Sequence, residues 1–288
     1  MDTEGTQSQS PQQIPGYSLP PSYTGMESSQ YAVVIPAYNE EATIYAVAQR
    51  ALKYLKQVIV IDDGSTDRTA QAIQDLPVTV LRNDTNSGKA ASLWKGLQYA
   101  KQLGMTAVVT LDGDGQHSPD DIPRLIKQAE LTPHHIIIGA RRRPWTRHTW
   151  HRIIANRIGD FWVSWAAGHP IADSQSGFRI YPMSLIAGLT IPTGRERSFV
   201  FESEVLVEGA TLGFWSLPVP IESEPRQAPR PSYFRPVVDI ARITKMIALK
   251  LLAEGLAPRK LYHALFGQPL AHHSDHFSEV SVSGSSHK

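Results

Sequence analysis

Two aspartates, Asp112 and Asp114, follow an apolar run and are separated by a single glycine. Gln116 and His117 come directly after them, so oxygen and nitrogen donors converge at the end of one predicted strand. Two carboxylates this close repel each other unless a cation lies between them, and oxygen ligands suit Mg²⁺ or Mn²⁺. An acidic turn is the alternative interpretation, because Asp-Gly-Asp-Gly satisfies turn chemistry by itself.

The elements that would position these side chains alternate between short β-branched runs and helix-period segments. We predict strands over 32–35, 58–61, 78–81, 107–111, 136–138 and 214–221, and helices over 40–54, 66–75, 88–103 and 120–130. Continuous Val and Ile runs separated by helices indicate an α/β fold with a mostly parallel central sheet flanked by helices. Ligands of such sheets bind beyond the carboxyl ends of strands. The strand ends carry four carboxylates: Asp62, Asp63, Asp112 and Asp114.

The common nucleotide-binding signatures are missing from this sequence. It contains no G-x-x-x-x-G-K-[ST] motif, and Gly113 and Gly115 do not open a G-x-G-x-x-G turn. These absences argue against a P-loop enzyme and a dinucleotide-dependent dehydrogenase. A sugar nucleotidyltransferase is also disfavoured, because residues 36–40 read Pro-Ala-Tyr-Asn-Glu where such enzymes carry a glycine-rich loop.

Five motifs follow one another in a fixed order between residues 31 and 221. They are Pro36–Glu40, Asp62–Asp67 (Asp-Asp-Gly-Ser-Thr-Asp), Asn86–Lys89 (Asn-Ser-Gly-Lys), Asp112–His117 and Asp173–Arg179 (Asp-Ser-Gln-Ser-Gly-Phe-Arg). Each motif alone has a simpler interpretation, since Asn39 or Thr66 could cap a helix. Together they resemble the family-2 glycosyltransferases of GT-A fold. Within that family, the Gln-His and Ser-Gly-Phe-Arg elements are most similar to dolichyl- and polyprenyl-phosphate sugar synthases.

The resemblance implies a site for a nucleotide-diphosphate sugar. The implied binding residues are Pro36, Tyr38, Glu40, Asp62, Asp63, Gly88, Lys89, Asp112 and Gly113. Tyr38 would pack on the base, Asp62 or Asp63 would accept from its ring N–H, and a glycine at 88 would let the backbone approach the nucleotide. Lys89 would reach the diphosphate, with a solvent-facing lysine as the alternative.

The resemblance also implies a metal site and the groups that act in catalysis. Asp112, Asp114 and Gln116 would ligate Mg²⁺ or Mn²⁺ between the phosphates, where the charge of the departing diphosphate develops. His117 is expected beside the site rather than as a ligand. The expected catalytic residues are Asp112, Asp114, Arg141, Asp173 and Arg179.

Arginines dominate the sequence that follows the predicted strand at 136–138. Arg141, Arg152 and Arg179 are the expected contacts of an acceptor phosphate, because a guanidinium can donate two hydrogen bonds to it. A solvated basic helix face or an RNA-binding stripe is the alternative. The interleaved aromatic residues favour a membrane interface instead; they are Trp145, Trp150, Phe161, Trp162 and Trp165.

The nature of the acceptor follows from which groups are present and which are missing. A hydroxyl acceptor needs a general base, whereas a lipid phosphate is already anionic, and no Glu-Asp base motif of the hydroxyl-glycosylating relatives is evident. Asp173 is the expected base if the acceptor is a hydroxyl. Its loop departs from the usual Asp-Pro-Thr-Ser-Gly-Phe-Arg at Ser174 and Gln175. Glu202 would orient an arginine or the sugar, with compensation of a helix terminus as the alternative.

Composition limits the remaining possibilities. The chain has 288 residues, a formal net charge of +1 and no cysteine, which excludes disulfides and thiolate metal sites. No apolar window approaches the roughly 20 residues that cross a bilayer. We expect a disordered leader over 1–30, a catalytic domain over 31–224, a linker with a basic amphipathic helix over 225–262, and a disordered tail over 263–288. The helix over 232–254 would lie on a membrane or pack on the domain.

These observations lead to one expectation with two alternatives. We expect a metal-dependent inverting glycosyltransferase that moves a sugar from a UDP- or GDP-sugar to a polyprenyl phosphate, in the cytoplasm at the membrane face. The first alternative keeps the enzyme class but uses a hydroxyl acceptor, such as a glycolipid or polysaccharide. The second is a non-enzymatic nucleic-acid-binding module, although no nucleic-acid partner is expected.

Overall fold

The computed structural model describes residues 30–142, 150–197, 200–222 and 236–267. Seven strands form one sheet: β1 (Tyr31–Ala37), β2 (Gln57–Asp62), β3 (Thr79–Arg82), β4 (Ala107–Thr110), β5 (Ile136–Arg141), β6 (Arg179–Pro182) and β7 (Ser216–Ile221). They lie in the order β3-β2-β1-β4-β6-β5-β7. Strand β6 runs antiparallel to β4 and β5, and the other neighbours are parallel. The predicted mostly parallel sheet is therefore confirmed.

Helices cover both faces of this sheet. They are α1 (Ile44–Leu52), α2 (Thr69–Ala72), α3 (Lys89–Gln102), α4 (Ile122–Leu131), α5 (Trp150–Ala167), α6 (Met183–Gly188), α7 (Phe201–Thr211), α8 (Pro236–Ala253) and α9 (Pro258–Phe266). Alternate side chains of each central strand enter different cores: Val34 belongs to the core that includes residues of α3, α5, α7 and α8, whereas Val33 belongs to the core that includes residues of α1 and α4. Burial on both faces explains the continuous apolar strands.

Helix α2 and strand β6 differ from the sequence-based expectation. The helix expected over 66–75 shortens to the four residues of α2. Residues 66–68 form a loop instead of the first helical turn. This loop is held because Thr69 N–H donates to Asp67 Oδ1 at 2.9 Å and Glu40 N–H donates to Thr69 Oγ1 at 2.7 Å. Strand β6 was not expected at all, and it separates β4 from β5 in the sheet.

The C-terminal helices pack on the catalytic domain. Helix α8 buries Ile243, Met246, Ile247 and Leu251 in the core next to α5 and α7, as the packing alternative predicts, and it leaves Leu249 and Leu252 exposed. Helix α9 continues to Phe266 and so crosses the expected boundary at 263. No helix in the described ranges is long and apolar enough to cross a membrane. The predicted leader up to residue 29, the linker at 225–231 and the tail from 268 lie outside the described residues.

Candidate active site

Asp112 lies just beyond β4, at the sheet edge where β1 and β2 also end. The hydroxyl of Thr110 donates to the carbonyl oxygen of Gly177 at 2.8 Å, which holds the segment before β6 against this strand end. A Cβ atom at Gly177 would lie 2.6 Å from Asp112 Oδ2, so a glycine is required there. The segment that leads into the unexpected strand β6 therefore packs against the Asp112 carboxylate.

Lys89 also contacts that carboxylate. Its Nζ lies 2.7 Å from Asp112 Oδ1 and 2.7 Å from Glu202 Oε1. Burial acts to lower the pKa of Lys89, but the two carboxylates outweigh it and raise that pKa above its usual value. Burial likewise acts to raise the pKa of Asp112, but the positive charge of Lys89, together with that of Arg141, brings it below its usual value. Lys89 is thus a charged bridge between β4 and α7.

The loop after Asp112 is compact and buried on one side. Asp114 Oδ1 accepts a hydrogen bond from the backbone N–H of Gln116 at 3.1 Å. The His117 ring is nearly fully buried against Phe178, with 5.7 Å between ring centroids. Its Nδ1 lies 4.0 Å from Asp112 Oδ2, and neither ring nitrogen has a hydrogen-bond partner among the described residues. Burial lowers the pKa of His117, so the ring is neutral at physiological pH.

The chemistry of this loop suits a divalent cation, with one condition. Asp112 and Asp114 supply the carboxylate oxygens that Mg²⁺ and Mn²⁺ take in proteins, and Gln116 lies in the same loop. Within the described ranges, however, no three His, Cys, Asp or Glu side chains are gathered to hold a metal ion. Moreover, Asp112 is already paired with an ammonium group. A cation at Asp112 would therefore have to share or replace the contact with Lys89.

The strand ends of β1 and β2 supply the expected nucleotide side of the site. Asp63 accepts hydrogen bonds from Asn83 Nδ2 (2.8 Å) and from the backbone N–H groups of Ser87 (2.9 Å) and Gly88 (2.8 Å), so it holds the loop that starts α3. Gly88 has a φ of 92°, which suits glycine. Asp62 Oδ1 accepts a hydrogen bond from the backbone N–H of Ser65, in the turn that follows β2, at 2.9 Å.

The residues after β1 lie over the same edge. Pro36 and Tyr38 are half-buried and Glu40 is buried. Gly113 packs closely on β1, since a Cβ there would lie 3.3 Å from the carbonyl oxygen of Pro36. The hydroxyl of Thr43 also donates to the carbonyl oxygen of Gly113 at 2.7 Å. The β1 loop and the Asp112 loop are thus joined directly.

Arg141 and Asp173 form a bidentate pair beyond β5. The Nε and Nη2 atoms of Arg141 each lie 2.7 Å from an Asp173 oxygen, and the Arg141 backbone N–H donates to Asp173 Oδ2 at 3.0 Å. Asp160 holds the same loop from α5, because Ser174 N–H donates to Asp160 Oδ1 at 2.8 Å. Burial acts to lower the pKa of Arg141, but its bonds to Asp173 raise it above the usual value. Asp173 is therefore an arginine-bound carboxylate.

Arg179 has a different environment from the one expected. Its side chain is fully buried. Its guanidinium donates to the carbonyl oxygens of Ser176 (2.8 Å), Ser174 (2.7 Å) and Glu202 (2.6 Å), and to the hydroxyl of Tyr181 (3.1 Å). This placement does not support the predicted phosphate contact, because the donors are already used inside the core. Arg179 instead joins the 174–176 loop to α7.

The structure brings most of the expected residues to one sheet edge. It adds Glu202 and Gly177, which were not expected there. Asp112, Asp114, Lys89 and Arg141 meet around the end of β4. Glu202 was considered only as an orienting or capping residue, and its contact with Lys89 depends on the packing of α7 against α3. The Ser-Gly-Phe-Arg motif was the sequence signal for Gly177. The side chain of Arg152 and residues 143–149 lie outside the described residues.

Comparisons with known proteins agree with this architecture. The family model for glycosyl transferase family 2 matches residues 32–182, just over half of the chain. A UDP-N-acetylglucosamine–dolichyl-phosphate N-acetylglucosaminyltransferase from Methanococcus voltae is 28% identical, over 55% of this chain and 71% of that protein. A polyprenol monophosphomannose synthase from Mycolicibacterium smegmatis is 24% identical, over 68% of this chain and 77% of that protein.

A solved structure extends the likeness to three dimensions. Glucosyl-3-phosphoglycerate synthase from Mycobacterium tuberculosis, crystallised with Mg²⁺ and UDP, aligns with a TM-score of 0.56. The alignment covers 77% of this chain and 78% of that chain at 20% identity. It confirms the predicted GT-A fold, and the family match confirms the prediction of an enzyme over the nucleic-acid-binding alternative. The chain belongs to glycosyl transferase family 2 and is a glycosyltransferase.

Proposed function

We propose that this glycosyltransferase moves a sugar from a nucleotide-diphosphate donor to a polyprenyl phosphate, with Mg²⁺ or Mn²⁺ bound at Asp112, Asp114 and Gln116. The proposal is supported by the names of two relatives, which act on dolichyl phosphate and polyprenol phosphate. It is also supported by the fold neighbour crystallised with Mg²⁺ and UDP. The nucleotide lies over the ends of β1 and β2, between the Tyr38 loop and Gly88.

The observation that carries the acceptor class is the Arg141–Asp173 pair. A hydroxyl acceptor needs a base, and the expected base is Asp173. Its oxygens, however, are held by two guanidinium nitrogens at 2.7 Å, and a carboxylate bound in this way has little tendency to take a proton. An acceptor phosphate needs no base, since its oxygen is already anionic. Arg141, oriented by Asp173, is the acceptor-side cation.

The reaction is a single inverting displacement. An acceptor phosphate oxygen forms a bond to the anomeric carbon, and the bond from that carbon to the diphosphate breaks with its electron pair leaving on the nucleoside diphosphate. No proton is transferred. A bound divalent cation neutralises charge on the leaving diphosphate. Lys89 and Arg141 supply further positive charge at the same edge of the sheet. In a site shielded from water, this charge stabilises developing negative charge more strongly than it would in water.

A lipid acceptor requires contact with a membrane, and one helical surface has suitable chemistry. We define the aromatic face as the exposed apolar side chains of α5 and of the α9 region: Ile154, Ile158, Phe161, Trp162, Leu256, Tyr262, Leu265 and Phe266. Trp165 of α5 holds the segment before α9, because its Nε1 donates to the carbonyl oxygen of Leu256 at 3.0 Å. Exposed aromatic and aliphatic side chains together are typical of an interfacial membrane contact.

A donor and acceptor panel tests the proposal. Purified protein is incubated with UDP- and GDP-sugars and Mg²⁺ or Mn²⁺, with and without polyprenyl phosphate, and the lipid product is measured. We expect cation-dependent transfer to the lipid phosphate. Transfer that persists in EDTA would contradict the metal assignment. Transfer only to hydroxyl acceptors would contradict the lipid-phosphate assignment.

The Asp114→Asn variant tests the metal assignment at one residue. We expect transfer to fall by about 10²-fold or more, because a ligand at the developing negative charge is weakened. Circular dichroism and the unfolding midpoint should match the wild type. The matched control is Asp75→Asn, an exposed residue four positions before β3 begins, which should retain full turnover. Normal activity in Asp114→Asn would show that the metal is held elsewhere.

A further inference from the structure

Lys89 contacts Asp112, the carboxylate that the proposed metal ion would bind. Its ammonium group contacts Asp112 and Glu202, each at 2.7 Å. All three side chains are largely shielded from water, with exposed side-chain fractions of 23% for Lys89, 25% for Asp112 and 8% for Glu202. Charge-assisted hydrogen bonds of this length are among the strong ones in proteins. Lys89 is therefore the present counter-ion of Asp112.

The backbone that carries Lys89 is fixed. The preceding residue, Gly88, donates its N–H to Asp63 Oδ2 at 2.8 Å, and Lys89 begins α3. The backbone at Gly177 also packs against Asp112, since a Cβ atom there would lie 2.6 Å from Oδ2 and 2.8 Å from Oδ1. A cation that binds Asp112 Oδ1 would meet the ammonium group of Lys89, which lies 2.7 Å from that oxygen. The lysine can yield only by rotation of its own flexible side chain.

We propose that Lys89 competes with the divalent cation for Asp112, so that the cation binds weakly until a nucleotide diphosphate offers Lys89 a replacement partner. The inference rests on the proposed function, since it assumes a metal at Asp112. With nucleotide bound, Lys89 exchanges its contact with Asp112 for a phosphate oxygen and keeps its contact with Glu202. Cation and nucleotide therefore bind with positive coupling, and Lys89 is the residue through which they are coupled.

Binding of Mn²⁺ measured by the electron paramagnetic resonance signal of the free aquo ion tests this coupling. It is measured with no nucleotide and with saturating UDP or GDP. In Lys89→Met, Asp112 loses its competitor, and we expect Mn²⁺ alone to bind about tenfold tighter than in the wild type. In Glu202→Gln, Lys89 depends on Asp112 alone, and we expect Mn²⁺ to bind more weakly. Addition of nucleotide should tighten Mn²⁺ binding in the wild type and much less in Lys89→Met.

Lys95→Met is the matched control. Lys95 lies on the same helix, but its Nζ donates to Arg82 O (2.9 Å) and Asn83 Oδ1 (2.8 Å) and not to a carboxylate. This variant loses the same unit of charge, so an unchanged Mn²⁺ affinity separates local competition from a general loss of positive charge. Thermal unfolding of each variant verifies the fold, and Glu202→Gln keeps the test decisive if Lys89→Met does not fold.

Two results would overturn the inference, and only the second would also contradict the metal assignment. In the first result, the wild type binds Mn²⁺ with nucleotide, but Lys89→Met and Glu202→Gln bind Mn²⁺ within twofold of the wild-type affinity. Lys89 then does not compete with the cation for Asp112, and the metal assignment stands. If no protein binds Mn²⁺ even with nucleotide, the metal assignment of the proposed function is wrong as well.

Discussion

At the scale of single residues, charged side chains near the strand ends have two different uses. Lys89 and Arg141 are partly accessible and lie beside the Asp112 carboxylate. Arg179 has the same charge but is fully buried, with its donors directed to backbone carbonyls. Residue type alone does not distinguish these uses. The decisive difference is whether the donor groups are already satisfied within the protein.

Replacing Arg179 should therefore damage stability before it affects catalysis. Arg179→Met leaves the carbonyl oxygens of Ser174, Ser176 and Glu202 without their donor. Unsatisfied buried groups cost about 1–3 kcal/mol each, so we expect the free energy of unfolding in urea to fall by about 3 kcal/mol or more. Arg68→Met, at a side chain that is 79% exposed, should change it by less than about 0.5 kcal/mol.

A contrary result for Arg179 would restore the role inferred from sequence. If Arg179→Met unfolds at the same urea concentration as the wild type but shows a raised KM for the acceptor, Arg179 contacts the phosphate.

His169 links α5 to β7 and makes stability depend on pH. Its Nε2 accepts from the backbone N–H of Ser216 at 3.1 Å, and burial lowers its pKa to about 4. The unfolded chain, with a histidine pKa of 6.5, binds more protons between these two values. Neutral His169 thus contributes its full stabilisation to the folded state above pH 6.5, and this contribution is lost as pH falls toward 4.

The His169→Gln variant tests this dependence. Between about pH 7.5 and about pH 5, the wild type should lose roughly 2 kcal/mol of unfolding free energy through His169. The glutamine variant, which does not titrate, should lose less over the same interval. The measurement is urea unfolding at both pH values. Equal losses in the two proteins would show that His169 is not the titrating group.

At the scale of elements, the site depends on the close packing of α3 on β1 and β2. Gly96 permits this approach, because a Cβ there would lie 2.4 Å from Val34 Cγ1. Since α3 also carries Lys89 at its first residue, the position of that ammonium group follows from the position of the whole helix. The distance between α3 and the sheet therefore determines where Lys89 lies in the site.

Gly96→Ala should be destabilising, although alanine favours helices. The overlap with Val34 requires a shift that costs about 1–3 kcal/mol, which exceeds the helix-propensity gain of about 1 kcal/mol. We expect a lower thermal unfolding midpoint. Gly159→Ala is the matched control, because Gly159 is also helical and a Cβ there meets no atom within 4 Å; it should raise the midpoint. A raised midpoint in Gly96→Ala would contradict the close packing.

At the scale of the whole molecule, the two sides of the sheet carry different surfaces. The layer containing α5, α8 and α9 carries the aromatic face, whereas α1 and α4 cover the other side. Helix α8 contributes exposed Leu249 and Leu252 to the first layer, although its core-facing residues are buried. We expect the first layer to face the membrane during transfer.

Flotation with liposomes containing anionic lipid tests that orientation. The Ile158→Glu/Phe266→Glu double variant places charges at side chains that are 55% and 66% exposed, so the fold should be unchanged. We expect the bound fraction to fall several-fold, because burial of these side chains is lost and anionic groups repel the membrane. Leu131→Glu, at a side chain that is 70% exposed on α4, should bind as the wild type. Equal binding by all three proteins would contradict the assigned face.

The sequence by itself determined the α/β class, most strand positions and the strand-end motifs. These features are local: buried parallel strands read as continuous Val and Ile runs, and Gly, Asp and Asn mark the loops after them. Residues such as Asp62 and Asp112 could therefore be assigned to one sheet edge from the sequence, whereas Lys89 kept a solvent-facing alternative. The assignment of Asp112 and Asp114 as metal ligands remains a prediction.

Only the tertiary structure decided the partners of the charged groups. The pairing of Lys89 with Glu202, the packing of Gly177 against Asp112, and the burial of Arg179 all join segments that are far apart in sequence. The positions of Gly177 and Arg179 depend on the antiparallel strand β6, whose short run carries no strong strand pattern. Because the electrostatic effect of a charge is set by its distance to other groups and by its exposure to water, the same residues in another packing would form a different site.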